Sequence, residues 1–339
     1  MNFAFVRGDR MKRNYYIFKN GRLRRKDNTI FYELDGDKPK PIPVNDIESL
    51  YIFGEVDFNT KVVNFLAQNN ITMHLFNYYG YYTSSFYPRE HLPSGFLLVK
   101  QVEHYKSSKK RLDLAKRIID AASFNILKNL KYYKRKFDME KYINSIEKER
   151  ESLLDVSDIA QLMGVEGRIR STYYNTFKDI TGNRFEFEKR VKNPPDNAMN
   201  TMISFGNSLI YSTVLSELYH TQLNPTISFL HEPGVRRFSL SLDISEVFKP
   251  MIVDRVIFTL INENIIKDKH FSIDMGNCYL QDEGKKLFLK EYNGKLDTTI
   301  HHRTLGRSVS YRHLIRLECY KLIKHLSGME EYQGFKAWW

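Results

Sequence analysis

The apolar pattern of this chain changes once, at about Leu97, and that change limits the folds open to it. Before it, short strand-like runs alternate with turn residues. After it, apolar and aromatic residues recur at helical spacing, from Leu98 and Val102 through Ile119 and Ile126 to Tyr133. The pattern predicts an α+β protein: a small β-rich domain over residues 11–94, then a larger, mostly α-helical domain over 95–339. In the first part, Asn14–Phe18 reads as a strand entering a hairpin at Lys19-Asn20-Gly21. Thr29–Leu34, Glu48–Gly54 and Ile71–Phe76 read as strands, and residues 60–69 as a helix. Pro39, Pro41 and Pro43 mark a loop, Tyr78–Tyr82 a turn between edge strands, and Pro88 and Pro93 a linker. In the second part, helices are expected from a Ser157/Asp158 cap to about Phe177, from Asn197 to His220, from Leu242 to Ile266 around Pro250, and from Tyr311 to Leu326. The first ten residues read equally as an upstream extension of the true start or as a short lead strand.

Length and charge narrow the function. A chain of 339 residues can bury two cores, and 14% aromatic content argues against disorder. Lys and Arg number 52 against 40 Asp and Glu, a net charge of +12 that favours polyanionic partners. Residues 104–150 carry 14 Lys or Arg against 6 acids, which suits a phosphate track or an ordinary solvated helix surface. Two cysteines, Cys278 and Cys319, exclude a disulfide framework or a cysteine zinc motif. No run approaches eighteen apolar residues, so no membrane span is expected and the cytoplasm is the expected location. Phosphate-loop, HExxH and GxSxG patterns are missing, which removes support for nucleotide-driven chemistry and serine hydrolysis.

The remaining chemistry lies in two stretches. In Leu230–Pro250, His231 and Glu232 precede a Pro-Gly loop, and Asp243 and Glu246 stand three apart, on one face of a helix. Carboxylates within an apolar run need charged partners or a metal. Oxygen ligands suit Mg²⁺ or Mn²⁺, and an imidazole tilts the choice toward Mn²⁺. In Gln161–Tyr174, Glu166 lies in a helical pattern, with Arg168 and Arg170 placed to bind phosphates or to pair with it. Each residue also has a structural reading: Glu166 a paired acid, His231 a loop or cap histidine, Asp243 a helix cap. His301-His302 beside Arg303 looks more like a basic loop than a metal site.

Four blocks in order, Met163–Tyr174, Phe205–Ser216, Leu230–Pro250 and Tyr311–Leu326, resemble the universal CRISPR-associated integrase of spacer acquisition, also described as a CRISPR-associated DNA endonuclease. The resemblance spans about residues 11–339, and the first domain is similar to an archaeal-like or type I-B branch. It implies three metal ligands, Glu166, His231 and Glu246, with Asp243 as a supporting acid or the direct ligand. The family pattern often has aspartate at Glu246 and arginine at Lys249; lysine lacks the planar fork that grips a phosphate. Asn207 and Tyr211, one helical turn apart, fall in another family block, where Asn207 would bond backbone or DNA near the scissile phosphate; Tyr174 and Tyr211 read equally as lining the site or as core packing. The resemblance implies a Mg²⁺- or Mn²⁺-dependent reaction. In it, the 3′-hydroxyl of a short DNA fragment attacks a phosphodiester at a repeat boundary.

Phosphate contacts are expected from Lys109, Lys110, Arg111, Lys116, Arg117, Arg168, Arg170, Arg236, Arg237 and Lys249. Partners implied are double-stranded or branched DNA, a second copy through the strand domain, and a small companion CRISPR-associated protein. Rival readings are a structure-selective nuclease for branched DNA or RNA, a non-catalytic nucleic-acid-binding module, and a scaffold without a DNA role.

Overall fold

A computed structural model describes residues 12–338, apart from 35, 90, 91, 193 and 236. The expectations for the first ten residues and for Arg236 fall outside the described residues. The chain divides into two compact units between residues 91 and 92.

The first unit is β-rich. Its strands are β1 (Arg13–Ile17), β2 (Gly21–Lys26), β3 (Thr29–Glu33), β4 (Lys40–Pro43), β5 (Ile47–Ile52), β6 (Val56–Phe58), β7 (Thr72–Phe76) and β8 (Tyr82–Phe86), with helix α1 (Thr60–Gln68) between β6 and β7. They form two four-stranded sheets, ordered β1-β5-β7-β8 and β4-β3-β2-β6. Leu23, Ile30, Ile47, Leu50, Val62 and Met73 fill the core. The hairpin expected at Asn20-Gly21 is not formed. β1 pairs in parallel with β5, while β2 belongs to the other sheet and turns into β3. Gly21 is there for close approach: a Cβ would lie 2.5 Å from the Glu33 carbonyl oxygen. The proline run is likewise an edge strand, β4, rather than a loop, since an edge tolerates a missing donor. The turn at Tyr78–Tyr82 does join two strands, with Gly80 at φ 84°.

His74 on β7 is fully buried, its Nδ1 2.7 Å from Ser85 Oγ. Burial pushes its pKa down to about 3. The folded protein therefore binds a proton less readily than the unfolded chain. Stability from this group is present above about pH 6.5 and falls, by about 1.4 kcal/mol per unit, as the pH drops toward 3. Urea unfolding between pH 7 and 4 should show this acid loss, and His74→Phe should flatten it; an unchanged slope would exclude His74 as its source.

The second unit is built on helices α2 (Gly95–Lys106), α3 (Ser108–Tyr133), α4 (Glu140–Glu151), α5 (Ile159–Tyr174), α6 (Phe177–Ile180), α7 (Ala198–Tyr219), α8 (Ser239–Phe248), α9 (Arg255–Asn262), α10 (Asp282–Asp297) and α11 (Tyr311–Leu326). Two small hairpins, β9 (Phe271–Asp274) with β10 (Asn277–Leu280) and β11 (Thr299–His302) with β12 (Arg307–Ser310), complete it. His301-His302 is thus strand, not loop. No helix among the described residues is long and apolar enough to cross a membrane.

Asp158, Asn197 and Ser310 cap α5, α7 and α11 through side-chain oxygens, as short polar side chains do. The helix expected across Pro250 is interrupted. α8 gives way to one π turn, Pro250–Asp254, before α9 resumes. A proline removes a helical donor and strands carbonyls upstream. Two asparagines of α3 bond carbonyls of the interrupted stretch: Asn125 Nδ2 donates to the Val247 carbonyl at 2.9 Å, and Asn129 Nδ2 to that of Pro250 at 2.7 Å. α7 lies close to this turn because Gly206 has no side chain; a Cβ there would meet Val253 Cγ1 at 2.4 Å.

Candidate active site

Asp243 organises the first half of the site. It is wholly buried on α8 and accepts four hydrogen bonds. Oδ2 takes the backbone N–H groups of Phe229 at 2.6 Å and Leu230 at 2.9 Å. Oδ1 takes the His231 backbone N–H at 3.0 Å and its ring Nδ1 at 2.9 Å. With Nδ1–H held by Asp243, Nε2 is the ring nitrogen with a lone pair to offer. The loop is tied down further by Arg111, whose Nε donates to the Phe229 carbonyl at 2.8 Å and whose Nη2 pairs with Glu232 at 2.7 Å. Ser228 Oγ donates to the His231 carbonyl at 2.6 Å.

The second half is a chain of alternating charge. Arg170, buried one turn beyond Glu166 on α5, donates through Nε to Glu166 at 3.2 Å and through Nη2 to Glu246. Lys249 pairs with the other oxygen of Glu246. Burial opposes ionisation of Glu246, but Lys249 and then Arg170 outweigh it and hold its pKa below the ordinary carboxylate range. His231 acts on Glu246 in the same sense. Asp254, in the π turn, completes the cluster. Burial pushes its pKa up to about 7 against the pull of Arg170, and its Oδ2 has no hydrogen-bond partner among the described residues. Tyr174 is pushed up to about 12 by burial, with Arg170 opposing.

Glu166, Glu246 and His231 therefore lie in one neighbourhood, but not in one shell. Among the described residues, no three His, Cys, Asp or Glu side chains form a ready metal cluster. Two carboxylates and an imidazole suit Mg²⁺ or Mn²⁺ in kind. Arg170 and Lys249 now satisfy the acids, so an ion would enter by displacing them.

Asn207, half-buried on α7, makes no side-chain hydrogen bond among the described residues. Tyr211, one turn on, accepts the Phe238 backbone N–H at 3.0 Å. Lys109, Lys110, Arg168 and Arg237 are exposed. Arg168 pairs with Glu149 at 2.9 Å, and Arg237 reaches the Glu232 carbonyl. Lys116 and Arg117 are half-buried; Lys116 bonds the Leu154 carbonyl at 3.2 Å, and Arg117 bridges Asp113 and Glu331.

The sequence profile of the CRISPR associated protein Cas1 family matches residues 15–294. The chain belongs to this family. Full-length relatives agree: it is 52% identical over 333 residues to the CRISPR-associated endonuclease Cas1 of Clostridium perfringens, covering 97% of this chain and 100% of that protein. The solved Cas1 protein of Thermotoga maritima is 43% identical, with a TM-score of 0.86 over 96% of this chain and 100% of that one. Two structures share the fold at low identity. One is a casposase bound to integration product, with a TM-score of 0.85 at 20% identity over 96% and 94% of the two chains. The other is a chain of a Cas6-RT-Cas1–Cas2 complex, with a TM-score of 0.82 at 15% identity over 99% of this chain and 37% of that one.

In this Cas1-family chain the sequence did not point to Asp254, Asn129 or Tyr173, which complete the cluster from behind. Asn129 Nδ2 donates to Tyr173 Oη at 3.0 Å, and its Oδ1 accepts from Arg255 Nε at 2.8 Å. A polar residue on the apolar stripe of α3 was the one available signal.

Proposed function

We propose that the chain is a divalent-metal-dependent DNA integrase and endonuclease of CRISPR spacer acquisition. In this reading, the 3′-hydroxyl of a short DNA fragment attacks a phosphodiester at a repeat boundary. The observation that carries it is the buried cluster in which one guanidinium joins Glu166 to Glu246 beside an Asp243-oriented His231. Glu166, His231 and Glu246 would hold Mg²⁺ or Mn²⁺. When bound, the ion supplies Lewis-acid charge that favours the attacking alkoxide and offsets charge on the phosphorane. Asp243 positions the imidazole and supplies no ligand atom of its own, because both its oxygens are engaged. Lys249 and Arg170, paired with Glu246, would be the cations at hand to neutralise phosphate oxygens if an ion took the acids. Asn207, whose side chain makes no hydrogen bond among the described residues, is the amide offered to the substrate in this reading.

Lys109, Lys110, Arg168 and Arg237 are the exposed cations for a duplex backbone; Arg111 serves as the anchor of the His231 loop. In this reading the chain acts on DNA in the cytoplasm, as a homodimer with a small companion protein; the endonuclease name of its relatives supports the strand chemistry.

The test is transfer of a labelled short duplex into supercoiled repeat-bearing DNA, with the companion protein and Mn²⁺ or Mg²⁺. Metal-dependent joined product, lost in His231→Ala, is the expected result. Cleavage without joining would assign a structure-selective nuclease instead. DNA binding with neither activity would assign a non-catalytic binder.

A further inference from the structure

A cavity of about 400 Å³ opens where the C-terminal end of α3 meets α9 and α10. Tyr132, Tyr133, Arg255, Glu291 and Lys295 are among its walls. Its two cations are unusual in their lack of acids. Arg255 donates Nε to Asn129 Oδ1 at 2.8 Å, and its two Nη groups have no partner among the described residues. Lys295 holds its Nζ 4.5 Å from the centre of the Tyr311 ring. Glu291, one helical turn before Lys295, forms no ion pair with either of them. Burial first, and Arg255 second, lower the Lys295 pKa to about 8. Two like charges in a half-buried cleft are unfavourable until an anion joins them.

Aromatic and basic surface continues outward from this pair. Tyr132 is 61% exposed, and its ring stands at 90° to that of Tyr133, 5.1 Å away. Tyr133 is itself fixed edge-on against Phe258 at 5.4 Å. Lys134, Arg135 and Lys136 follow directly and are exposed. Only Lys134 of these three forms an ion pair among the described residues, with Glu140.

We propose that this cavity is a second nucleic-acid site, in which Arg255 and Lys295 hold a backbone phosphate of a single DNA strand and Tyr132 stacks an unpaired base. Stacking on an exposed ring requires a base that is not paired. A cavity of this size is on the scale of small-ligand sites, roughly 300–1,000 Å³, and encloses a nucleotide rather than a duplex. The site is coupled to the acid cluster through one side chain, since Asn129 bonds Arg255, Tyr173 and the Pro250 carbonyl together. The assignment rests on the DNA reading above.

Fluorescence polarisation of the full chain tests it, with a short labelled oligothymidylate and a blunt duplex as separate probes. Tyr132→Ala and Lys295→Gln should each weaken oligothymidylate binding by about tenfold, the size of one lost stacking or phosphate contact. Lys295→Gln should also reduce the salt slope by about 0.7. Duplex affinity and the thermal midpoint should stay as in wild type. Equal losses for both probes, or no loss, would overturn the site. Deoxythymidine monophosphate competing as strongly as the oligonucleotide would overturn the strand assignment in favour of a free nucleotide. Wild-type protein that bound neither probe would instead remove the DNA reading itself.

Discussion

Glu166→Ala should lower metal-dependent strand cleavage and joining by about a thousandfold, equivalent to roughly 4 kcal/mol of transition-state stabilisation. The residue is half-exposed on α5, and its one ion pair among the described residues is with Arg170, which keeps Glu246 as a second partner. Folding should therefore survive, and the loss should be one of chemistry. A structural acid would behave in the opposite way, with a lower unfolding midpoint and near-normal turnover of the folded fraction. Single-turnover rates at saturating DNA separate the two, because they remove binding from the comparison. A folded Glu166→Ala protein within tenfold of wild type would take this carboxylate out of the active site.

What could be read from the sequence divides along the range of the interactions. Caps and periods are local, and Asp158, Asn197 and Ser310 begin their helices where polar residues precede apolar stripes. Pairing between distant segments is not local. The signal at Asn20-Gly21 was a true glycine requirement with the wrong cause: the backbone there passes Glu33 closely, while β1 finds β5 some thirty residues on. The same division runs through the site. Asp243 and Glu246 were recognisable as acids of one helical face, but their different duties depend on what faces each. Asp243 meets three backbone donors and a histidine; Glu246 meets two cations. Arg170 could be read as a phosphate ligand or a partner of Glu166, and only the fold adds Glu246, 76 residues away. Arg111 gave the appearance of a surface cation because its partner carbonyl at Phe229 lies 118 residues away.

Arg170→Met should cost about 3–5 kcal/mol of stability, because it removes one partner of a buried ion-pair network and leaves the others uncompensated. Burial alone would lower the guanidinium pKa; Glu246, Tyr174, Glu166 and Asp254 instead raise it well above its ordinary value. Without it, Glu246 keeps Lys249 as its ion-pair partner, and Asp254 keeps only Lys249 and the Tyr173 hydroxyl to set against its own burial. The pH dependence identifies the mechanism. The folded pKa of Asp254, about 7, lies above the ordinary value near 4, so its stability contribution is complete below about pH 4 and lost as the pH rises through 7. In wild type, Asp254→Asn should remove that loss, so the stability difference between variant and parent should grow by up to about 4 kcal/mol from pH 4 to pH 8. Arg170→Met should steepen the loss, and the Arg170→Met, Asp254→Asn double variant should recover part of it. Urea unfolding across that range measures all four proteins. Additive effects of the two substitutions would show that Arg170 and Asp254 do not act on each other; a coupling larger than about 1 kcal/mol would place Asp254 inside the same electrostatic unit as the acids of the site.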